Sequence, residues 1–174
     1  FEDFYPHDDP EYAYYQQFQE KFAEEQNYML QIALRSPAES VYDSAFLQQA
    51  DATFRQLAQL GGVDSLISGT RVEQVRRTGL SVSRRPWVQF ESEAAVARSR
   101  RRIERDSALI GTFITRDRQH LCGYLFIERE LFDSRGRDFL VEALEQTLDQ
   151  SGLTYVITGI PYIRTKYVEK IGLE

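Results

Sequence analysis

One cysteine, Cys122, is all that the chain carries, so no disulfide can close within it and a cysteine-only zinc site is excluded. Histidine is almost as scarce: His7 and His120 are the only two and lie far apart, which leaves little for metal chemistry. Long apolar runs are missing as well. No stretch approaches the roughly 18 residues that a membrane-spanning helix needs, and the longest uncharged stretches are strand-sized. Positive charge is in deficit, with 21 Lys and Arg against 27 Asp and Glu. That balance argues against duplex nucleic acid, whose phosphates require a positive footprint. Neither a signal-peptide pattern nor a lipidation motif occurs in these residues.

What is there suits a globular domain. The 174 residues are 42% hydrophobic and 28% charged, enough for one large domain or two intertwined subdomains around a sizeable core. A first helix is expected from Pro10, capped by Asp9, with Tyr14, Phe18 and Phe22 recurring at i, i+4, i+8. Residues 27–34 then alternate, with Tyr28, Leu30, Ile32 and Leu34 on one face, which is a strand pattern. Asp43 is placed to cap a helix running to about Leu60, stopped by Gly61-Gly62, and Val63 to Ser68 reads as a second strand. From Gly69 to Phe90 periodicity is lost, and a long polar, basic connection is expected. Ser92 is placed to cap a third helix that ends in the basic run Arg98 to Arg105.

Residues 109–115 and 120–128 read as the two arms of a hairpin. Another helix is expected over about 134–150, with a stripe of Phe139, Leu140, Ala143, Leu144, Thr147 and Leu148, and Thr154 to Thr158 reads as the last strand. The segments divide as 1–68, an N-terminal helix plus a β-α-β unit; 69–107, a connection and helix; 108–160, a β-β-α-β unit; and 161–174, an exit segment. This order predicts an α+β fold, a ferredoxin-like sandwich with a mainly antiparallel sheet and helices on one face.

The two ends carry the most specific patterns. Phe4-Tyr5-Pro6-His7-Asp8-Asp9-Pro10-Glu11-Tyr12 stands at the front and Gly159-Ile160-Pro161-Tyr162-Ile163-Arg164-Thr165-Lys166-Tyr167-Val168 at the back. Together they resemble the segments that bracket the first large extramembrane loop of RND-superfamily exporters, the group of MMPL-type lipid transporters and Patched-like proteins. The resemblance implies a porter-type ferredoxin-like domain on the periplasmic side of a bacterial inner-membrane protein. Its implied partners are the transmembrane helices and second extramembrane loop of the same transporter, and its implied cargo is hydrophobic or lipid-like. Export would be driven by the proton-motive force acting on the absent membrane half. Asp8, Asp9, Pro10, Gly159 and Pro161 are then structural motif residues. Both termini are expected to be cut from a longer reading frame, and the middle segment, 70–105, matches no motif of the family.

No enzyme is expected, and no cofactor or metal. Asp8-Asp9-Pro10-Glu11 reads as helix capping with favourable charge rather than as a cation site. His120 and Cys122 share one face of a strand, yet no motif supplies the orienting group or oxyanion site that a Cys-His nucleophile needs, so Cys122 reads as a core residue. Arg98 to Arg105 is diluted by Glu93, Glu104 and Asp106 and reads first as a solvated helix face, with anionic-headgroup contact as the sharper alternative and nucleic acid last. Trp87 and Phe90 are the candidate contacts for a hydrophobic ligand, weighed against a role as a clamp holding the connection to the core. The alternative class is a stand-alone ferredoxin-like ligand-binding or regulatory module that dimerises through its sheet.

Overall fold

Strict alternation makes Met29–Arg35 a strand (β1) with two unlike faces: Leu30, Ile32 and Leu34 are fully buried, whereas Met29, Gln31 and Ala33 are half-buried. In the computed structural model, which describes residues 28–78, 81–131 and 136–171, this strand is central. The expected first helix and the motif residues Asp8, Asp9 and Pro10 lie outside the described residues. After β1 come α1 (Ser44–Leu57), β2 (Val63–Ser68), β3 (Glu73–Thr78), β4 (Ser81–Pro86), α2 (Glu93–Asp106), β5 (His120–Ile127), a 3-10 turn at Arg129–Leu131, α3 (Gly136–Ser151), β6 (Tyr155–Thr158) and α4 (Ile160–Ile171).

The main sheet has the order β2-β5-β1-β6. β1 pairs antiparallel with β5, placing Ile32 opposite Gly123, and with β6, placing Ile32 opposite Ile157. β2 pairs antiparallel with the far edge of β5. Because β1 and β2 both oppose β5, they run parallel with β5 between them; likewise β5 and β6 run parallel with β1 between them. Two interleaved β-α-β units of this kind are the ferredoxin-like arrangement, with residues 69–119 inserted between the second and third strands of the sheet.

Burial holds the layers together. α1 presents Phe46, Leu47, Ala50, Phe54 and Leu57, and α3 presents Leu140, Val141, Leu144 and Leu148, all at most 4% exposed. All but Val141 join Leu121, Leu125 and Ile127 of β5 and the inward face of β1 in one core, each large side chain contributing about 1.5–3 kcal/mol. Asp43 caps α1 as expected, accepting from the Phe46 N–H at 2.7 Å, and Ser92 caps α2 through the Ala95 N–H at 3.3 Å.

Three expectations need correction. The basic segment after Gly69 is no irregular connection: β3 and β4 pair over six residues, Val75 opposite Arg84 and Arg77 opposite Val82. Its signal was hidden because a two-stranded ribbon wet on both sides has no apolar face to alternate. Residues 109–115 are not a strand but a turn, with Gly111 at φ +91° and only isolated bridges at Ile114. β5 already spends both edges on β1 and β2, so no edge remains for that arm except beyond the end of β2, where Ile114 meets Leu121. Phe139 is 70% exposed, whereas Val141 is buried beside Leu140, Leu144 and Leu148 on the covered side of the helix. The exit segment forms α4, with Pro161 buried near its start, where a proline costs no helix hydrogen bond.

Candidate functional site

The helices cover one face of the main sheet and leave the other partly open among the described residues. Side-chain alternation puts Ser65 and Ile67 of β2, Cys122, Tyr124 and Phe126 of β5, Met29, Gln31 and Ala33 of β1, and Val156 and Thr158 of β6 on that second face. Ile67 and Val156 are 50% and 57% exposed. Tyr124 is fixed at its centre: its hydroxyl donates to the Thr112 carbonyl at 2.9 Å, and its ring meets Phe113 edge-on at 5.4 Å. Burial, then the neighbouring Cys122, pushes the Tyr124 phenol pKa up. The 109–114 turn thus shelters the Tyr124 region while Val156 and Ile67 stay open.

A second apolar surface lies on α4. Ile160, Ile163, Tyr167 and Ile171 recur at i, i+3, i+7 and i+11 and are each about half exposed, with Val168 beside them. The opposite side of this helix is tied down. Thr165 is buried, accepts from Arg137 Nε at 3.0 Å and donates to Asp138 at 2.8 Å. Lys166 bridges Glu145 at 2.7 Å and Glu169 at 3.2 Å. The hydrogen bond to Glu145 outweighs desolvation and raises the ammonium pKa. α4 is therefore docked on α3 by polar contacts, and Ile160, Ile163, Val168 and Ile171 of its apolar stripe stay about half exposed.

Trp87 is 6% exposed and belongs to the core, its N–H donating to the Val72 carbonyl at 2.9 Å. Phe90 is half-buried against that core, and its carbonyl accepts from Ser44 Oγ at 2.9 Å and Gln48 Nε2 at 3.2 Å. Phe90 thus fastens the insertion to α1, and Trp87 packs into the core. Asp51 holds the start of the insertion. Its buried carboxylate accepts from Thr70 at 2.9 Å and Arg71 at 3.1 Å and pairs with Arg55 at 2.6 Å. Burial alone would raise its pKa; the hydrogen bonds from Arg71 and Thr70 and the charges of Arg71 and Arg55 outweigh it and hold the carboxyl below its usual range.

Glu104 closes the insertion. Arg118 donates to both of its oxygens, at 3.0 and 2.8 Å, Tyr42 donates at 2.9 Å, and Arg100 stacks over the Tyr42 ring. This fork, chiefly the Arg118 hydrogen bonds, lowers the Glu104 pKa from 4.5 to about 2. A carboxylate with a depressed folded pKa stabilises the fold above its unfolded pKa and loses that contribution as pH falls toward the folded value. Denaturant midpoints measured between about pH 5 and pH 2 should therefore slope less in Glu104→Gln than in the parent chain. The side chain is 35% exposed, so solvent screening keeps the difference small.

His120 and Cys122 do share a strand face, but Cys122 is 3% exposed and burial, only partly opposed by a Gln31 hydrogen bond, raises its thiol pKa away from the nucleophilic thiolate. Among the described residues no group of three or more His, Cys, Asp or Glu is placed to hold a metal ion. Gly159 has φ +129° and lies against the backbone of Met29 and Leu30, so both back-motif residues, Gly159 and Pro161, serve the turn from β6 into α4. Sequence reading missed the surfaces themselves. The outward stripe of α4 was legible as spacing, but only the docking of α4 on α3 shows which side stays open.

No protein-family model matches the chain, and no curated protein matches it.

Proposed function

We propose that this chain is an extracytoplasmic porter domain of a proton-motive-force-driven RND/MMPL-like exporter that moves hydrophobic or amphiphilic, lipid-like molecules. The observation that carries this reading is the pair of apolar surfaces, on the sheet and on α4, that stay about half exposed among the described residues, in a domain whose end motifs resemble those of the family. A porter domain packs against a second extramembrane loop and sits on membrane helices, and both would cover such surfaces. The ferredoxin-like topology supports the same reading, though that fold serves many functions. In this role the domain has no catalytic site. It belongs to the periplasmic side of a bacterial inner membrane and moves as a rigid helix-sheet unit during the cycle. Among the described residues no helix is long and apolar enough to cross a membrane, so the coupling machinery would lie elsewhere in the transporter.

The open sheet face also favours a second reading, a stand-alone ferredoxin-like module that dimerises through its sheet. Two measurements separate them. The parent reading frame should show about 20 apolar residues shortly before Phe1 and several such segments beyond Gly172; a start codon just before Phe1 and an early stop would sink the exporter. Sedimentation velocity should give a monomer of 20.3 kDa for the isolated chain. A homodimer that dissociates on Ile67→Lys plus Val156→Lys would support the stand-alone module.

A further inference from the structure

Charge is distributed unevenly along this chain. Residues 69–107 hold ten Arg against five Asp and Glu, a net of +5; with the whole chain at −6, the remainder carries −11. Within the insertion, Arg98, Arg101, Arg102 and Arg105 recur at i, i+3, i+4 and i+7 and line, with Asp106, a groove of about 600 Å3 along α2. The carboxylates that dilute this run in sequence do not neutralise it in space. Glu104 commits both oxygens to Arg118 and Tyr42, and Glu93 stands at the other end of the helix, leaving four guanidinium groups against one carboxylate. Arg98, Arg101 and Arg105 are exposed and make no ion pair among the described residues. Like charges stacked this way repel along a helix, and of the four only Arg102 is tied to the rest of the fold by a hydrogen bond among the described residues.

Arg102 is held in place. It donates to the carbonyls of Pro86, at 3.0 Å, and Trp87. That anchoring sets it between the first groove and a second, of about 270 Å3, lined by Gln74, Ser83, Arg85 and Arg102 beneath the β3-β4 ribbon. We propose that this insertion carries an anion site, the groove bounded by Arg98, Arg101, Arg102 and Arg105, and that it takes a phosphate ester. Guanidinium forks match phosphate oxygens bidentately. The groove is far larger than the ~30 Å3 share of one water, leaving room for the group to which the phosphate is esterified. Nucleic acid fits less well: single-strand binding uses exposed aromatic platforms, whereas Trp87 is buried and Phe90 packs on the core. A lipid headgroup and a free ester share the chemistry. Val75 and Val82, 62% and 63% exposed on the outer face of the ribbon, are the reason to test the lipid source directly.

The inference does not rest on export, since a parent frame without membrane segments would remove the exporter and leave the site intact. Calorimetric titration of the 174-residue chain with inorganic phosphate and dihexanoyl phosphatidylglycerol tests it, beside co-sedimentation with vesicles of phosphatidylglycerol in phosphatidylcholine. Replacing three guanidinium groups (Arg98→Gln, Arg101→Gln, Arg105→Gln together) should weaken binding about 100-fold, while Arg35→Gln plus Arg116→Gln, exposed and off the groove, should change it less than about tenfold. Unchanged circular dichroism would show that the triple variant folds. Binding of the soluble probes without further gain on vesicles assigns a free ester; binding confined to vesicles assigns a lipid surface. The site is refuted if none of these probes binds, if the control substitutions weaken binding as much as the triple, or if a single-stranded oligonucleotide binds more tightly and is lost with the same triple.

Discussion

Gly159→Ala should destabilise the protein by about 3–5 kcal/mol, combining backbone strain with overpacking against a main chain that cannot yield. Gly159 adopts φ +129°, where only glycine sits without strain. A methyl there would run into the Met29 carbonyl oxygen and stand 3.1 Å from Leu30 Cα. Those atoms belong to the central strand, so relief would require β6 and α4 to move away from β1. Urea titration measures the loss. Gly61→Ala is the control: nothing lies within 4 Å of its added carbon, and its midpoint should stay within about 0.5 kcal/mol of the parent. A Gly159→Ala midpoint equal to the control would show that the turn relaxes freely and that the close approach is not structural.

Phe54→Ala should cost about 3–5 kcal/mol, the usual range for emptying a fully buried aromatic site. The ring is 1% exposed and lies over Gly123 in β5, where an added methyl would come within 2.5 Å of Phe54 Cε1. The missing side chain at 123 is thus the hollow that the ring from α1 fills. Phe54→Leu, which keeps most of the volume, should lose clearly less than Phe54→Ala in the same titration. Equal losses would mean that ring shape, not filled volume, holds α1 to the sheet. Against a net stability of about 5–15 kcal/mol for a typical domain, either Gly159→Ala or Phe54→Ala removes a large part.

The two positions differ in how far the sequence announced them. Gly159 stood out as punctuation before Pro161, and its role as a turn followed from that. Gly123 gave no such signal, because its reason is a ring arriving from residue 54, and no local pattern records a contact across that separation. The same contrast runs through the basic insertion. The spacing of Arg98, Arg101, Arg102 and Arg105 was visible, and so were the acids that dilute it. Pairing decided the balance: Arg118, fourteen residues beyond Glu104, takes that carboxylate out of the array.

The sequence by itself determined the elements whose causes are local. Alternation set β1, Asp43 and Ser92 set the starts of α1 and α2, and the order of these pieces implied a ferredoxin-like fold, although α1 ends at Leu57, short of Gly61-Gly62. Only the tertiary structure decided what depends on partners distant in the chain. β3 and β4 gain their hydrogen bonds from each other rather than from an apolar face, and 109–115 is left without a strand edge because β1 and β2 occupy both sides of β5. Among the described residues the sheet face and the α4 stripe keep half-exposed apolar side chains because the helices and polar ties secure their other sides. Periodicity reports which residues share a face; which face is covered is settled by the free energy of packing the whole chain.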